Sequence, residues 1–156
     1  MTDSTRIRAA TAADEKQILA LLPQLADFDV PPQRNPDDLW QGDAALVKAV
    51  FAGENGGTII EVAEHAGQVQ GVIVVTLREE LMSHAPSAHL EAIVVHPDAR
   101  GIGLGQRLLD RSEALAREHG AQSLSLHVFA NNHRARALYQ SSGFDQELIR
   151  AIKWFS

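Results

Sequence analysis

A strand that runs into three alternating glycines and then into an amphipathic helix is the feature that most limits what this chain can become. Residues 90–95, Leu-Glu-Ala-Ile-Val-Val, are mostly apolar and rich in β-branched side chains, the pattern of a buried strand. Pro97 ends that run, Gly101, Gly103 and Gly105 follow, and Leu104, Leu108, Leu115 and Ala116 then share one helical face. Glycines permit positive φ and let main-chain N–H groups converge on one point. The helix N-terminus behind them adds unpaired donors and about half a positive charge. Arg100 adds a planar guanidinium that can reach a phosphate oxygen. Such a cradle fits a diphosphate, and the plainer reading of the same glycines is a tight strand-to-helix turn. Two other phosphate motifs fail: a dinucleotide fingerprint begun at Gly101 needs glycine where Gln106 stands, and Gly105-Gln106-Arg107 lacks the Lys-Ser/Thr ending of a Walker loop.

The rest of the chain supplies alternating elements. Residues 6–10 read as a first strand, and Thr11 to Asp14 have the spacing of a capping box. Ile18, Leu21, Leu22 and Leu25 mark a helix that Pro23 ends or kinks. A proline-rich loop over residues 26–38 leads to a second helix over 37–52. Residues 58–64 and 69–77 read as a hairpin, and 124–128 as the strand after the glycine-opened helix. A last helix over 132–142 stops at Gly143, and residues 144–155 are expected to give one or two terminal strands. A hairpin-rich first half and a βαβα second half predict a mixed sheet with helices on both faces, an α/β (α+β) fold.

Composition closes off other classes. At 156 residues the chain makes one domain, 1–156, with no internal linker or repeat. With no cysteine it has no disulfide, no thiolate metal site and no thiol nucleophile. None of the seven histidines has metal-ligand spacing with another, so no metal is expected. A net charge of −6 without a basic stripe argues against nucleic acid. No apolar run is long enough to span a membrane, and the polar first residues carry no export signal, so a cytoplasmic location is expected.

Arg100-Gly101-Ile102-Gly103-Leu104-Gly105 resembles the R/Q-x-x-G-x-G/A signature of the GNAT superfamily of acetyl-CoA-dependent acyltransferases. Residues 132–144 are similar to its N-x-x-A-x-x-L-Y-x-x-x-G-F pattern, through Asn132, Ala135, Leu138, Tyr139, Gly143 and Phe144. The resemblance implies a single-domain GNAT-like fold whose sheet has six or seven strands, with parallel strands 4 and 5 splayed apart. Acetyl-CoA would be the co-substrate. Main-chain groups of Ile93, Val94 and Val95 would pair with its pantetheine arm, amides of Arg100, Gly101, Ile102, Gly103, Leu104, Gly105 and Gln106 would hold the pyrophosphate, and Asn132 would bond from the other side. The acceptor would be an amine of a small molecule or peptide, met by the first two helices and the loop before strand 4. A homodimer is also expected from the resemblance. Only twelve residues follow Phe144, fewer than the family's usual terminal hairpin takes.

Transfer of an acetyl group to an amine needs a neutral nitrogen, and the departing sulfur can use a proton. Tyr139, the single tyrosine, falls where the family places its general acid; packing of its helix on the sheet is the alternative role. Glu91 alternates along its strand so as to share a face with Ile93 and Val95, and is the candidate base, directly or through water; a structural hydrogen bond is the alternative. His84 and His127 are candidates for the acceptor pocket. Asp27 and Asp29 are either cation-attracting or solvated. Without cysteine, direct transfer in a ternary complex is expected, and no Ser-His-acid set is legible. A CoA-binding module without catalysis, or a nucleotide site, are the competing functions.

Overall fold

The computed structural model describes residues 4–156. Five strands form one sheet in the order β1 (Arg6–Ala9), β2 (Thr58–His65), β3 (Gln68–Glu79), β4 (Pro86–Val95), β5 (Leu124–Leu126). The first four pair antiparallel, and β4 and β5 are parallel. Four α-helices accompany them: α1 (Glu15–Leu21), α2 (Gln41–Phe51), α3 (Leu104–Glu118) and α4 (His133–Ser141). The tight turn Ala66–Gly67 joins β2 to β3 with both residues at positive φ, 52° and 79°, the handedness that suits a two-residue hairpin.

Each face of the sheet carries its own core. Ile18, Leu21 and Leu22 from the first helical segment and Val47 from α2 meet Val62, Val72, Val74, Ala92 and Val94 on one face. On the other, Leu104, Leu108, Leu109 and Leu115 of α3 cover Ile73, Val75, Ala88 and Leu90, with Leu138 and Tyr139 of α4 beside them. Burying one such leucine contributes about 1.5–3 kcal/mol, so both faces resist separation from the sheet.

Local chemistry sets the helix limits. The Thr11 amide donates to Asp14 Oδ2 at 2.8 Å, and the Arg8 guanidinium grips both carboxylate oxygens of Asp14 at 2.8 and 2.9 Å. These bonds hold the Asp14 carboxyl down to about 2. Pro23 does end the α-helical geometry: the chain tightens into a 3-10 segment, Leu22–Ala26, after α1.

Two features press α3 onto the sheet. A Cβ at Gly71 would lie 2.8 Å from Leu108 Cδ1 and 3.0 Å from Val94 O, so only glycine lets the helix come this close to β3. Arg111 reaches over to β2 and clasps Glu61 with two bonds of 2.8 and 3.0 Å. Paired, planar contacts of this kind are among the strongest charge-assisted bonds.

Among the described residues the sheet has five strands instead of six or seven. Residues 144–156 run on without strand pairing, and β5 is three residues long where five were expected. Residues 146–155 contain no Gly, Pro, Asn, Asp or Ser, so the middle of the tail has no residue suited to a tight hairpin turn, and so short a β5 offers little edge to pair with. Its apolar side chains stay in the open: Leu148 is 63% exposed, Ile149 91% and Phe155 89%.

Candidate functional site

Register makes the cleft. β4 and β5 pair only at Ala88 with Leu124, His89 with Ser125 and Leu90 with Leu126. Beyond Leu90, β4 continues to Val95 while the chain after Leu126 leaves the sheet. One edge of β4 from Glu91 to Val95, including Ile93, Val94 and Val95, is therefore without a strand partner, although its other edge is bonded to β3. A gap between splayed parallel strands accepts an extended amide-bearing ligand as a surrogate strand.

That open edge leads into the glycine turn. His96 Nδ1 accepts from the Asp98 amide at 3.1 Å, Pro97–Ala99 make a 3-10 turn, and Gly101 and Gly103 follow at φ 81° and 84°. Gly103 is the N-cap of α3 and, lacking a side chain, provides no capping bond. The first amide of this region to bond back is Arg107, which donates to Gly103 O at 3.1 Å. Amides 101–106 thus have no backbone acceptor among the described residues, and they front a fifteen-residue helix, whose dipole favours an anion at that end. A Cβ at Gly101 or Gly103 would meet nothing within 4 Å, so the space before these amides is open.

The side chains around the cradle are differently employed. The Arg100 guanidinium donates to Asp27 Oδ2 at 2.6 Å and to Gln24 Oε1 at 3.2 Å, so Arg100 and Asp27 are engaged with one another. The Arg100 bond, with the Arg134 charge beyond it, holds the Asp27 carboxyl below its ordinary value. The Gln106 side-chain amide donates to Asp110 Oδ1 at 2.8 Å and accepts from the Ser142 hydroxyl at 3.1 Å, while its main-chain amide is one of those without a backbone acceptor. Asn132 caps α4 by accepting from the Ala135 amide at 3.4 Å. Asn131 Nδ2 bonds to Asp29 O, and the rings of Phe28 and Phe129 are 5.5 Å apart. Residues 24–29 consequently touch both banks of the cleft, through Arg100 on one and 129–131 on the other.

Glu91 does not share a face with Ile93 and Val95. Val74 faces Ala92 and Val75 faces Leu90, so Glu91 is the extra residue of a β-bulge, and a bulge re-aims the side chain it inserts. Ile93 and Val95 pack toward α3, whereas the charge of Glu91 acts on Asp43 of α2. Burial first, and Glu91 second, push the Asp43 carboxyl up to about 6. Glu91 Oε1 also lies 3.7 Å from His89 Nε2. His89 is 3% exposed, bonds Ser125 Oγ through Nδ1 at 2.8 Å, and sits 4.8 Å from the His127 ring. Asp43, His89 and Ser125 were not singled out from sequence. The bulge and the β4–β5 register assemble this set, and a strand's own residues encode neither.

Tyr139 lies on the opposite face. Its ring meets Phe144 edge-on at 6.0 Å, and burial raises its phenol above the ordinary value, so it is a proton donor at neutral pH. The helix that carries it abuts the glycine turn: a Cβ at Gly105 would lie 3.5 Å from Leu138 Cδ2. His84 is elsewhere, in a cavity of about 360 Å³ at the far end of β4 with Arg78, Glu79 and His119. His127, in contrast, has its ring beside that of His89 where β4 and β5 part. Among the described residues no helix is long and apolar enough to cross a membrane.

Residues 20–144 match the model of the acetyltransferase (GNAT) family. The uncharacterized N-acetyltransferase YhfO of Bacillus subtilis is 32% identical over 141 residues, 90% of each chain. The thialysine N-epsilon-acetyltransferase of Bos taurus is 30% identical over 155 residues, covering 95% of this chain and 88% of that one. In shape the chain is similar to an aminoglycoside N-acetyltransferase solved in complex with CoA, with TM-score 0.74, 18% identity and coverage of 100% and 97%. At that identity the likeness concerns the fold.

Proposed function

Because this chain belongs to the acetyltransferase (GNAT) family, we propose that it moves an acetyl group from acetyl-CoA directly to the amine of a small molecule or peptide within a ternary complex. The observation that carries this reading is the continuity of the unpaired β4 edge, from Glu91 to Val95, with the bond-free amides of 101–106. An extended arm with amides and a diphosphate end suits the two parts in that order. Thiol release across an amine panel tests the reading; a protein stabilised by CoA that releases none would be a binding module instead.

The two faces divide the chemistry. An alkyl ammonium of pKa about 10.4 is neutral only once in roughly two thousand molecules at pH 7, costing about 4–5 kcal/mol. Glu91, aimed to the α1–α2 face with Asp43 near, is placed to attract that cation and take its proton. Tyr139, across the sheet, is protonated and can donate to the leaving sulfur. Acetyl-CoA supplies the activated carbonyl, and Ile93, Val94 and Val95 orient its arm. Tyr139→Phe preserves the edge contact with Phe144 and removes only the hydroxyl. It is expected to lower kcat by roughly tenfold, less than the ~10²–10⁴ usual for general acid–base catalysis because a thiolate with a cysteine-like pKa of about 8.5 leaves readily unaided, with KM for acetyl-CoA unchanged; full turnover would leave Tyr139 a packing residue.

A homodimer is part of the reading. Leu148, Ile149, Ile152, Trp154 and Phe155 of the tail are all at least 48% exposed. So many exposed apolar side chains in one segment mark a contact surface, and a second copy of the chain is the partner proposed for it. Sedimentation is expected at twice the chain mass, and Ile149→Lys with Phe155→Lys to return it to one; a wild-type monomer sinks this part.

A further inference from the structure

His89 is a buried histidine at the apex of the cleft, where β4 and β5 make their last pairs, and the chemistry above does not use it. It stands between two partners: Ser125 Oγ, 2.8 Å from Nδ1, and Glu91 Oε1, 3.7 Å from Nε2. We propose that His89 is a positioning residue for the acceptor-side base: the Ser125 hydroxyl donates to Nδ1, which commits the ring proton to Nε2 and turns that N–H toward the Glu91 carboxylate. The proposal rests on Glu91 being the base.

A neutral imidazole has one N–H and one lone pair, and the partner of one nitrogen decides the state of the other. With the proton on Nδ1, a lone pair at Nε2 would face an anionic oxygen. A hydroxyl can donate or accept, so Ser125 takes the donor role and the conflict disappears. The ring is neutral at pH 7: burial, then the Arg78 charge from β3, and His127 after β5 hold it down to about 4 against the pull of Glu91. The other charge on Glu91 is Asp43 from α2, which repels it. At 3.7 Å the Nε2–H is beyond direct hydrogen-bond reach and acts on the Glu91 carboxylate through its dipole, opposing the Asp43 charge. Ser125 is exposed and outside the core, so its substitution perturbs the tautomer without opening a cavity.

Long-range proton–nitrogen NMR of the imidazoles at pH 7, with His89 assigned by its loss in His89→Gln, is expected to show the neutral Nε2–H tautomer. Ser125→Ala should shift His89 toward Nδ1–H, and Ser125→Thr should restore it. An Nδ1–H or charged His89 in the wild type, or a tautomer indifferent to Ser125→Ala, overturns the proposal. These spectra need no turnover, so they judge the hydrogen-bond chain even in a protein that transfers no acetyl group, an outcome that sinks the transferase reading instead. In the active enzyme, loss of the N–H dipole destabilises the carboxylate. Ser125→Ala is therefore expected to move the acid limb of the acceptor kcat/KM upward by roughly half a pH unit, with KM for acetyl-CoA unchanged and Ser125→Thr reverting the limb. A limb that stays in place removes the positioning role.

Discussion

Gly103→Glu protein is expected to gain no thermal stability from acetyl-CoA, whereas the wild type gains several degrees. Ligand at a hundred times its dissociation constant stabilises by about 2.7 kcal/mol, and for a chain of this size each kcal/mol moves Tm by roughly 2–4 °C. The wild-type shift should then be about 5–11 °C. Gly103 sits at φ 84°, where a side chain costs about 1–2 kcal/mol. A carboxylate there would also repel the diphosphate its own amides are meant to attract. Gly105→Glu separates the two effects. Gly105 is not among the glycines at positive φ, and its Cβ would make ordinary contact with Leu138 Cδ2 at 3.5 Å and Val95 Cγ2 at 4.0 Å, so glutamate there brings charge to the same junction without backbone strain. Calorimetry with CoA, ATP and NAD adds a control: a preference for either nucleotide would reject the coenzyme.

Glu91→Gln is expected to lower acceptor kcat/KM at pH 7 by about 10²–10⁴, the usual range for a positioned base. Gln fills the same volume, so the bulge at Val74–Val75 should persist and acetyl-CoA should still raise Tm. The deficit should shrink as pH rises toward the amine's own pKa, because solvent then supplies the neutral nucleophile that the carboxylate no longer makes. Undiminished rate at pH 7 would assign the base elsewhere, with Asp43 next to be tested.

Much of this fold can be read from one strand or helix at a time. The glycine turn, the stop at Pro23 and the two-residue hairpin at Ala66–Gly67 depend on residues adjacent in sequence, and each is legible there. Glu91 shows where that method ends. Its side chain faces α2 because β3 and β4 slip by one residue at Val74–Val75, and a slip belongs to the pair of strands. The His89–Ser125 bond likewise needs the β4–β5 alignment. Arg100 is legible as a cation next to the cradle, but its engagement with Asp27, seventy-three positions earlier, depends on how residues 24–29 are laid over the cleft. In the tail, alternating apolar residues read as strand, yet strand formation requires an available edge, and β5 is too brief to supply one.

The absence of a Cβ at Gly71 and the Arg111–Glu61 clasp have a thermodynamic corollary. With its midsection wedged against β3 and tethered to β2, α3 cannot tilt or slide, so the amides at its leading end are already aimed before any anion arrives. Little conformational freedom is then left to surrender on capture. Enlarging Gly71 of β3 to alanine, against Leu108 about one and a half turns along α3 from Gly103, should weaken coenzyme capture by loosening a scaffold that the ligand itself never touches.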